Sequence, residues 1–240
     1  CCCCCGCCGC WCGGGCGRGG RGGGRGGGAA AAGAADPIAA ERFAADIQAK
    51  AHGRAAPALL TGWGGALTAP ARLLTARENC GRAHGRNILA REARGEWMLY
   101  LDADMAPTDD VFLSTYGEAM DSSGLDAIFG GYLTRSQDAD QNLALHAALA
   151  SASDHCDAAA REKIGATAFC SSNLLVRRKL MLDVPFDTGF VGWGWEDVDW
   201  AVAASRQHRL GHIDNPALHD GLQPVDVLLD KFRIGATNYA

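Results

Sequence analysis

The chain has 240 residues, with 22 Lys and Arg against 27 Asp and Glu, for a formal net charge of −5. That balance excludes a broad binder of nucleic-acid backbones, which carries a basic surplus, and leaves open a small anionic ligand neutralised by local cations. Thirteen cysteines would signal a disulfide scaffold, but ten lie within the first sixteen residues and only Cys80, Cys156 and Cys170 stand in the body, a usage that fits a reducing compartment.

Residues 1–28 contain only Cys, Gly, Trp and Arg. With no aliphatic side chain to build a core, this stretch is expected to be disordered. A zinc-binding tail is disfavoured, because the cysteines crowd together rather than forming two separated CxxC pairs, and no histidine is present in the stretch. All four residue types share codons with G in the middle position, as GC-rich DNA read out of frame would give, and Ala29–Ala35 would mark the approach to the true frame. The domain reading is therefore a low-complexity segment over 1–36 and one domain over 37–240, large enough for a full core.

Ile38–Ala51 has helical spacing, with Phe43, Ala44 and Ile47 on one face and Gly53 as a stop. Residues 54–70 give no clear element. Ala71–Thr75 reads as a short strand, and Asn79-Cys-Gly turns the chain. Arg82–Arg94 is predicted helical, with Ala83, Ile88, Leu89 and Ala93 toward the core and Gly95 beyond its end. Trp97–Leu101 is a continuous apolar run flanked by charge, the pattern of a central strand buried on both faces. Thr108 is expected to cap a helix over Val111–Met120. Ala127–Tyr132 reads as a strand, Asn142–Ile164 as one long Ala-rich helix, Asn173–Val176 as a strand, and Arg177–Leu182 as a helical turn. Glu196–His208 is predicted as a helix closed by Gly211. His212–Asp214 is the last predicted strand, and a helix begins near Val225. Strands alternating with helices imply a layered α/β domain with a mainly parallel sheet.

Two segments carry chemistry. Asp102-Ala103-Asp104 follows the buried strand directly, and residues i and i+2 of an extended chain point to one side. Ligands of open α/β sheets bind beyond the carboxyl ends of strands. Two carboxylates converging there need a cation, and hard oxygen ligands suit Mg²⁺ or Mn²⁺ with positions left for substrate phosphates. The bland alternative is an acid pair that caps the following helix. The second segment is Gly192-Trp193-Gly194-Trp195-Glu196-Asp197-Val198-Asp199. Its glycines permit positive φ and close approach to a ligand, and its tryptophans offer flat faces for stacking on a sugar ring. Its acids open a helix, where the dipole alone would favour them; one of them could also take a proton from an attacking hydroxyl. His208 and His212 read as surface residues. His146, His155, Cys156 and Cys170 fit no standard zinc spacing.

In order, these segments resemble glycosyltransferase family 2 and its GT-A relatives. Asn79-Cys-Gly-Arg-Ala-His-Gly-Arg-Asn87 is similar to the family's Asn-x-Gly…Ala-Arg-Asn helix start. Gly95 through Asp104 is similar to its Asp-x-Asp strand, Asn173 through Arg178 to the strand before the acceptor site, and Phe186-Asp187 through Asp199 to its Glu-Asp block. The Gly-Trp-Gly-x-Glu-Asp form resembles that of β-1,4-galactosyltransferases and chondroitin-polymerising enzymes. The resemblance spans roughly residues 75–220 and implies a GT-A-type, Rossmann-like fold whose N-terminal strand or strands are missing, since nothing in residues 1–37 matches the family's opening.

The resemblance also implies roles. Asp104, assisted by Asp102, and His219 would hold Mn²⁺ or Mg²⁺ on the donor diphosphate. Asp197 would be the catalytic base, and Glu196, Trp193 and Gly194 would line the acceptor side. Asn79, Arg82, Arg86 and Asp102 would line the nucleotide-sugar pocket. The implied activity is inverting transfer of a hexosyl or N-acetylhexosaminyl group from a nucleotide sugar to a glycan or lipid-linked acceptor, as in polysaccharide biosynthesis. No nucleic-acid partner is expected. No signal peptide is recognisable, and no apolar run approaches the roughly 18 residues that cross a bilayer, so the expected location is the cytoplasm, including peripherally at a membrane. A metal-dependent nucleotidyltransferase and a non-catalytic sugar- or nucleotide-binding domain are the alternatives.

Overall fold

The computed structural model describes residues 44–48, 74, 80–134, 141–153 and 155–239. The readings of residues 1–36, 54–70, Ala71–Thr75 and Asn79 lie outside those residues, apart from Leu74, which is in no strand. In chain order the elements are β1 (Ala44–Gln48), α1 (Arg82–Glu92), β2 (Trp97–Asp102), β3 (Met105–Pro107), α2 (Phe112–Ser122), β4 (Ala127–Phe129) and β5 (Tyr132–Thr134). They continue with α3 (Ala144–Ser153), α4 (Ala158–Ile164), a 3-10 turn (Gly165–Ala168), β6 (Asn173–Arg177), α5 (Arg178–Asp183), α6 (Glu196–Ala204), β7 (Leu210–His212), β8 (Ala217–His219) and α7 (Val225–Tyr239).

The main sheet has the order β1-β2-β6-β4-β7, and β3-β8-β5 form a smaller sheet. The β1–β2 and β4–β7 pairings are parallel, whereas β6 runs antiparallel to both its neighbours. The sheet is thus mixed rather than mainly parallel. β2 is an interior strand, and its alternate residues serve two different cores. Met98 and Tyr100 face one cluster with Ala83, Leu89 and Ala90 of α1, Leu180 and Met181 of α5, and Val198 and Trp200 of α6. Trp97 and Leu99 face another with Phe112, Tyr116 and Ala119 of α2. Helices therefore cover both sides of the sheet, and the two-sided burial expected from the solid apolar run is observed.

Several sequence expectations are corrected. Within the predicted helix over 38–51, Ala44–Gln48 is a strand that pairs in parallel with Met98–Asp102; pairing to a distant strand overrides a local 3.6-residue pattern. Val111, not Thr108, sits at the start of α2, and the Thr108 hydroxyl donates to the Pro216 carbonyl at 3.0 Å. Ala127–Tyr132 is not one strand. It breaks at Gly130-Gly131, where a side chain on Gly130 would collide with the Tyr116 hydroxyl and the Asn215 carbonyl, and Gly131 takes φ 82°. Asn173 pins this corner by donating to Gly131 O at 2.7 Å and Asn215 O at 2.9 Å. The long Ala-rich helix is split in two, and Asp157 starts the second by accepting from the Ala160 amide at 2.7 Å. α6 ends at Ala204 rather than His208, and the strand near His212 is Leu210–His212. His212 is no surface residue, because its ring lies 4.5 Å from that of Phe169 and 5.9 Å from that of Phe129.

Candidate active site

α1 begins directly after Gly81, which takes φ 82°. Arg82 and Arg86 lie one helical turn apart and so share a face. Arg86 is buried at 1% exposure. Its guanidinium meets three carboxylates: Asp102 at 3.3 Å, Glu196 at 3.3 Å and Asp197 at 3.7 Å. Arg82 adds a second contact to Glu196 at 3.1 Å. Burial works against the Arg86 charge, and Asp197, Asp102 and Glu196 together outweigh it, so the guanidinium is held above its ordinary range. The end of β2 and the start of α6 are thereby joined through one side chain.

Asp102 closes β2, with its amide donating to the Ser172 carbonyl at 3.0 Å. The chain turns between β2 and β3, so Asp104 meets a different partner from Asp102. β3 pairs antiparallel with β8, placing Met105 opposite His219. The Asp220 amide donates to the Asp104 carbonyl at 2.9 Å. This register leaves His219 Nε2 3.8 Å from the Asp104 carboxylate, which is 35% exposed. A side chain at Gly221 would come within 3.1 Å of that carboxylate and 2.5 Å of His219 Nε2. Among the described residues, no group of three or more His, Cys, Asp and Glu converges as a metal site. The donors on offer are one carboxylate and one imidazole side by side, with bare glycine next to them. That set fits a hard divalent ion that takes its other ligands from substrate phosphates and water.

At the start of α6, Glu196 and Asp197 turn inward, at 3% and 1% exposure, whereas Asp199 is exposed. The Cys170 thiol donates to Asp197 Oδ2 at 3.6 Å and lies 3.2 Å from the Ser172 hydroxyl. Trp193 and Gly194 precede them in a turn in which Gly192, Gly194 and Trp195 take φ 79°, 97° and 76°. The structure therefore brings together Arg82, Arg86, Asp102, Glu196 and Asp197, and separately Asp104 with His219. Asn79 lies outside the described residues.

Sequence reading missed Cys170 and Ser172, which brace the acids from the start of β6. Their polar character beside apolar neighbours was the available signal. Sequence reading gives Asn87 only as the last residue of the Asn79–Asn87 motif; its side chain donates to the Phe186 carbonyl at 2.8 Å and accepts from the Phe186 amide at 2.9 Å. None of Cys80, Cys156 and Cys170 is in a disulfide, and Cys156 and Cys170 are buried.

The model of glycosyl transferase family 2 matches residues 65–184, half of the chain. The chain belongs to that family. The match takes in α1, the Asp-x-Asp strand end and β6, and it stops before the Gly192–Asp197 segment. No curated protein matches this family 2 member. Among solved structures it is similar to residues 1–349 of TarS from S. aureus, at 14% identity and a TM-score of 0.51, over 74% of this chain and 50% of that one. It is also similar to the mannosyltransferase PcManGT from Pyrobaculum calidifontis, solved in complex with GDP-Man and Mn²⁺. That match has 18% identity and a TM-score of 0.51, over 71% of this chain and 45% of that one. The family 2 chain thus spans about half the length of these two relatives. At such identities the likeness is one of fold, the GT-A α/β architecture. Among the described residues no helix is long and apolar enough to cross a membrane.

Proposed function

We propose that this family 2 member transfers a sugar from a nucleotide-diphosphate sugar to an acceptor hydroxyl, with inversion at the anomeric carbon and with the help of a divalent metal. The observation that carries the reading is the meeting of Asp102, at the end of β2, with Glu196 and Asp197, at the start of α6, on the buried Arg86 guanidinium. This contact supports reading Asp102 and the acidic turn as parts of one site, with Asp104 and His219 beside them as the metal-holding pair. The complex of PcManGT with GDP-Man and Mn²⁺ supports the substrate class and the metal.

Asp104 and His219 would hold Mn²⁺ or Mg²⁺, which when bound neutralises charge on the diphosphate. Asp102 would assist at the same edge while bracing Arg86. Arg82 and Arg86 set the local charge of the pocket, and Asn79 would join them toward the nucleotide. Trp193, Gly194 and Glu196 form the acceptor side, where an indole face suits a sugar ring. Asp197 accepts the proton as the acceptor oxygen attacks the anomeric carbon. The bond to the diphosphate oxygen breaks, and the nucleoside diphosphate leaves with the electron pair. Attack from the face opposite the leaving group gives inversion. The acceptor would be a glycan or a lipid-linked sugar, and the buried thiols suit action in the cytoplasm.

Asp197→Asn tests the reading. Transfer should fall by about 10²–10⁴-fold, the usual contribution of a general base, while nucleoside diphosphate still binds with Mn²⁺. The wild-type reaction should release nucleoside diphosphate and an inverted glycoside. Unchanged turnover in Asp197→Asn refutes the base assignment. Release of pyrophosphate instead would make the chain a nucleotidyltransferase.

A further inference from the structure

The turn that carries Trp193 is unusual in its backbone. Gly192 and Gly194 take positive φ without cost, but Trp195 at φ 76° is the one non-glycine residue with positive φ among the described residues. A bulky residue stays in that region only where its surroundings over-determine it. The surroundings here are the last turns of α7. Asn238 Oδ1 accepts from the Val191 amide at 3.3 Å. Its Nδ2 lies within donating distance of three carbonyls, Val191 at 3.1 Å, Trp193 at 3.3 Å and Gly194 at 3.1 Å.

One side-chain amide thus replaces the backbone partners that the turn cannot find within itself. Close approach is possible because the turn carries glycine where α7 crosses it: a side chain on Gly192 would come within 2.8 Å of Ile234 Cγ2, while Gly235 and Gly194 lie at ordinary contact distance. A side chain on Gly235 would begin 3.5 Å from the Trp193 ring, and one on Gly194 would begin 3.6 Å from the Gly235 Cα. Tyr239 packs on Trp195 with ring centroids 4.7 Å apart, and Lys231 Nζ lies 5.4 Å from the Trp193 ring centroid.

We infer that α7 is the element that positions the acceptor-side turn, and that Asn238 is its positioning residue, an assignment that rests on the function proposed above. Asn238 touches no reacting group. It fixes the indoles by templating the backbone that bears them, and so governs acceptor binding without altering the acids around Arg86.

The test uses the full chain with Asn238→Ala and Asn238→Asp, read by amide hydrogen exchange and by steady-state kinetics. Asp keeps the acceptor for the Val191 amide but can donate to none of the three carbonyls, so it should behave like Ala. Exchange at Val191–Trp195 should rise at least tenfold in both variants, with β2 and β6 unchanged. The KM for acceptor should rise about tenfold, while the KM for donor and kcat stay within twofold. Gly235→Val, which pushes α7 off Trp193 by a different route, should reproduce the pattern. Unchanged exchange over 191–195 overturns the inference, and so does raised exchange with an unchanged acceptor KM. If the wild-type chain transfers no sugar, the proposed function fails by itself, and the exchange arm still decides whether Asn238 holds the turn.

Discussion

Replacing Arg86 by Met removes a charge while keeping much of the side-chain volume. Breaking a buried ion pair by deleting one partner costs about 3–5 kcal/mol, because the other charge is left uncompensated. The partners differ in how much of that cost they carry. Asp102 is 11% exposed and can draw on water, and Glu196 keeps Arg82 at 3.1 Å. Asp197, at 1% exposure, loses the Arg86 guanidinium and keeps the uncharged Cys170 thiol. The loss should therefore fall at the lower end, about 3 kcal/mol. For a domain of this size, each kcal/mol shifts Tm by about 2–4 °C, which gives a fall of about 6–12 °C. Arg82→Met should cost less than Arg86→Met, because Glu196 keeps its contact with Arg86. Urea and thermal unfolding followed by circular dichroism measure both. The double variant Arg86→Met/Asp197→Asn should recover part of the loss, since it also removes the buried charge that Arg86 offset, giving a coupling of about 1–3 kcal/mol. Strictly additive effects, or an Arg86→Met variant as stable as the wild type, would refute the view of Arg86 as the hub of the site.

Burial first, and then Arg161, lower the pKa of His212 from 6.5 to about 4. A histidine kept neutral in the fold lets the unfolded chain bind the extra proton between those two values, so stability should decline as pH falls from about 6.5 to about 4. His212→Phe, which keeps the ring beside Phe129 and Phe169, should flatten the acid side of a Tm–pH curve, and a curve parallel to the wild type would count against it. Gly130→Ala should destabilise the chain by about 1–3 kcal/mol, the range for overpacking, because the added carbon meets Tyr116, Asn215 and Asn173. Urea midpoints check it, and a neutral effect would mean that the β4–β5 corner yields freely.

The parts of the fold legible in the sequence were those where a local pattern and the tertiary environment agree. Trp97–Leu101 could be placed because a strand buried on both faces leaves no polar position, and both cores confirm it. α1 and β6 were read for similar reasons. Residues 44–48 defeated the reading because Phe43, Ala44 and Ile47 satisfy a helical period, and only pairing with β2 reveals the strand. Gly130-Gly131 was a visible breaker that an apolar run obscured. In the site, the acids were legible as motifs, but their assembly was not. Arg86 finds Glu196 at a separation of 110 residues, and no periodicity encodes which carboxylate a buried guanidinium will meet. The Asn238 clamp was invisible for the same reason, since an asparagine near the end of a helix reads as ordinary surface.

The charges at this edge of the sheet account for the expected need for a cation. Asp102, Asp104, Glu196 and Asp197 supply four carboxylates, and Arg82 and Arg86 supply two guanidinium groups. Both guanidiniums are spent on acids, so neither brings an unshared positive charge to an incoming diphosphate. Like charges about 6 Å apart repel by about 3 kcal/mol at an effective dielectric constant of about 20. A nucleoside diphosphate approaching these acids alone would meet several such repulsions. Asp104 is the most exposed member of the set, at 35%, and lies beside His219 and Gly221. A divalent ion bound there would convert the repulsion into attraction, while Arg86 keeps Asp102, Glu196 and Asp197 in position. The division of labour follows from the turn after β2, which sends Asp102 inward and Asp104 outward.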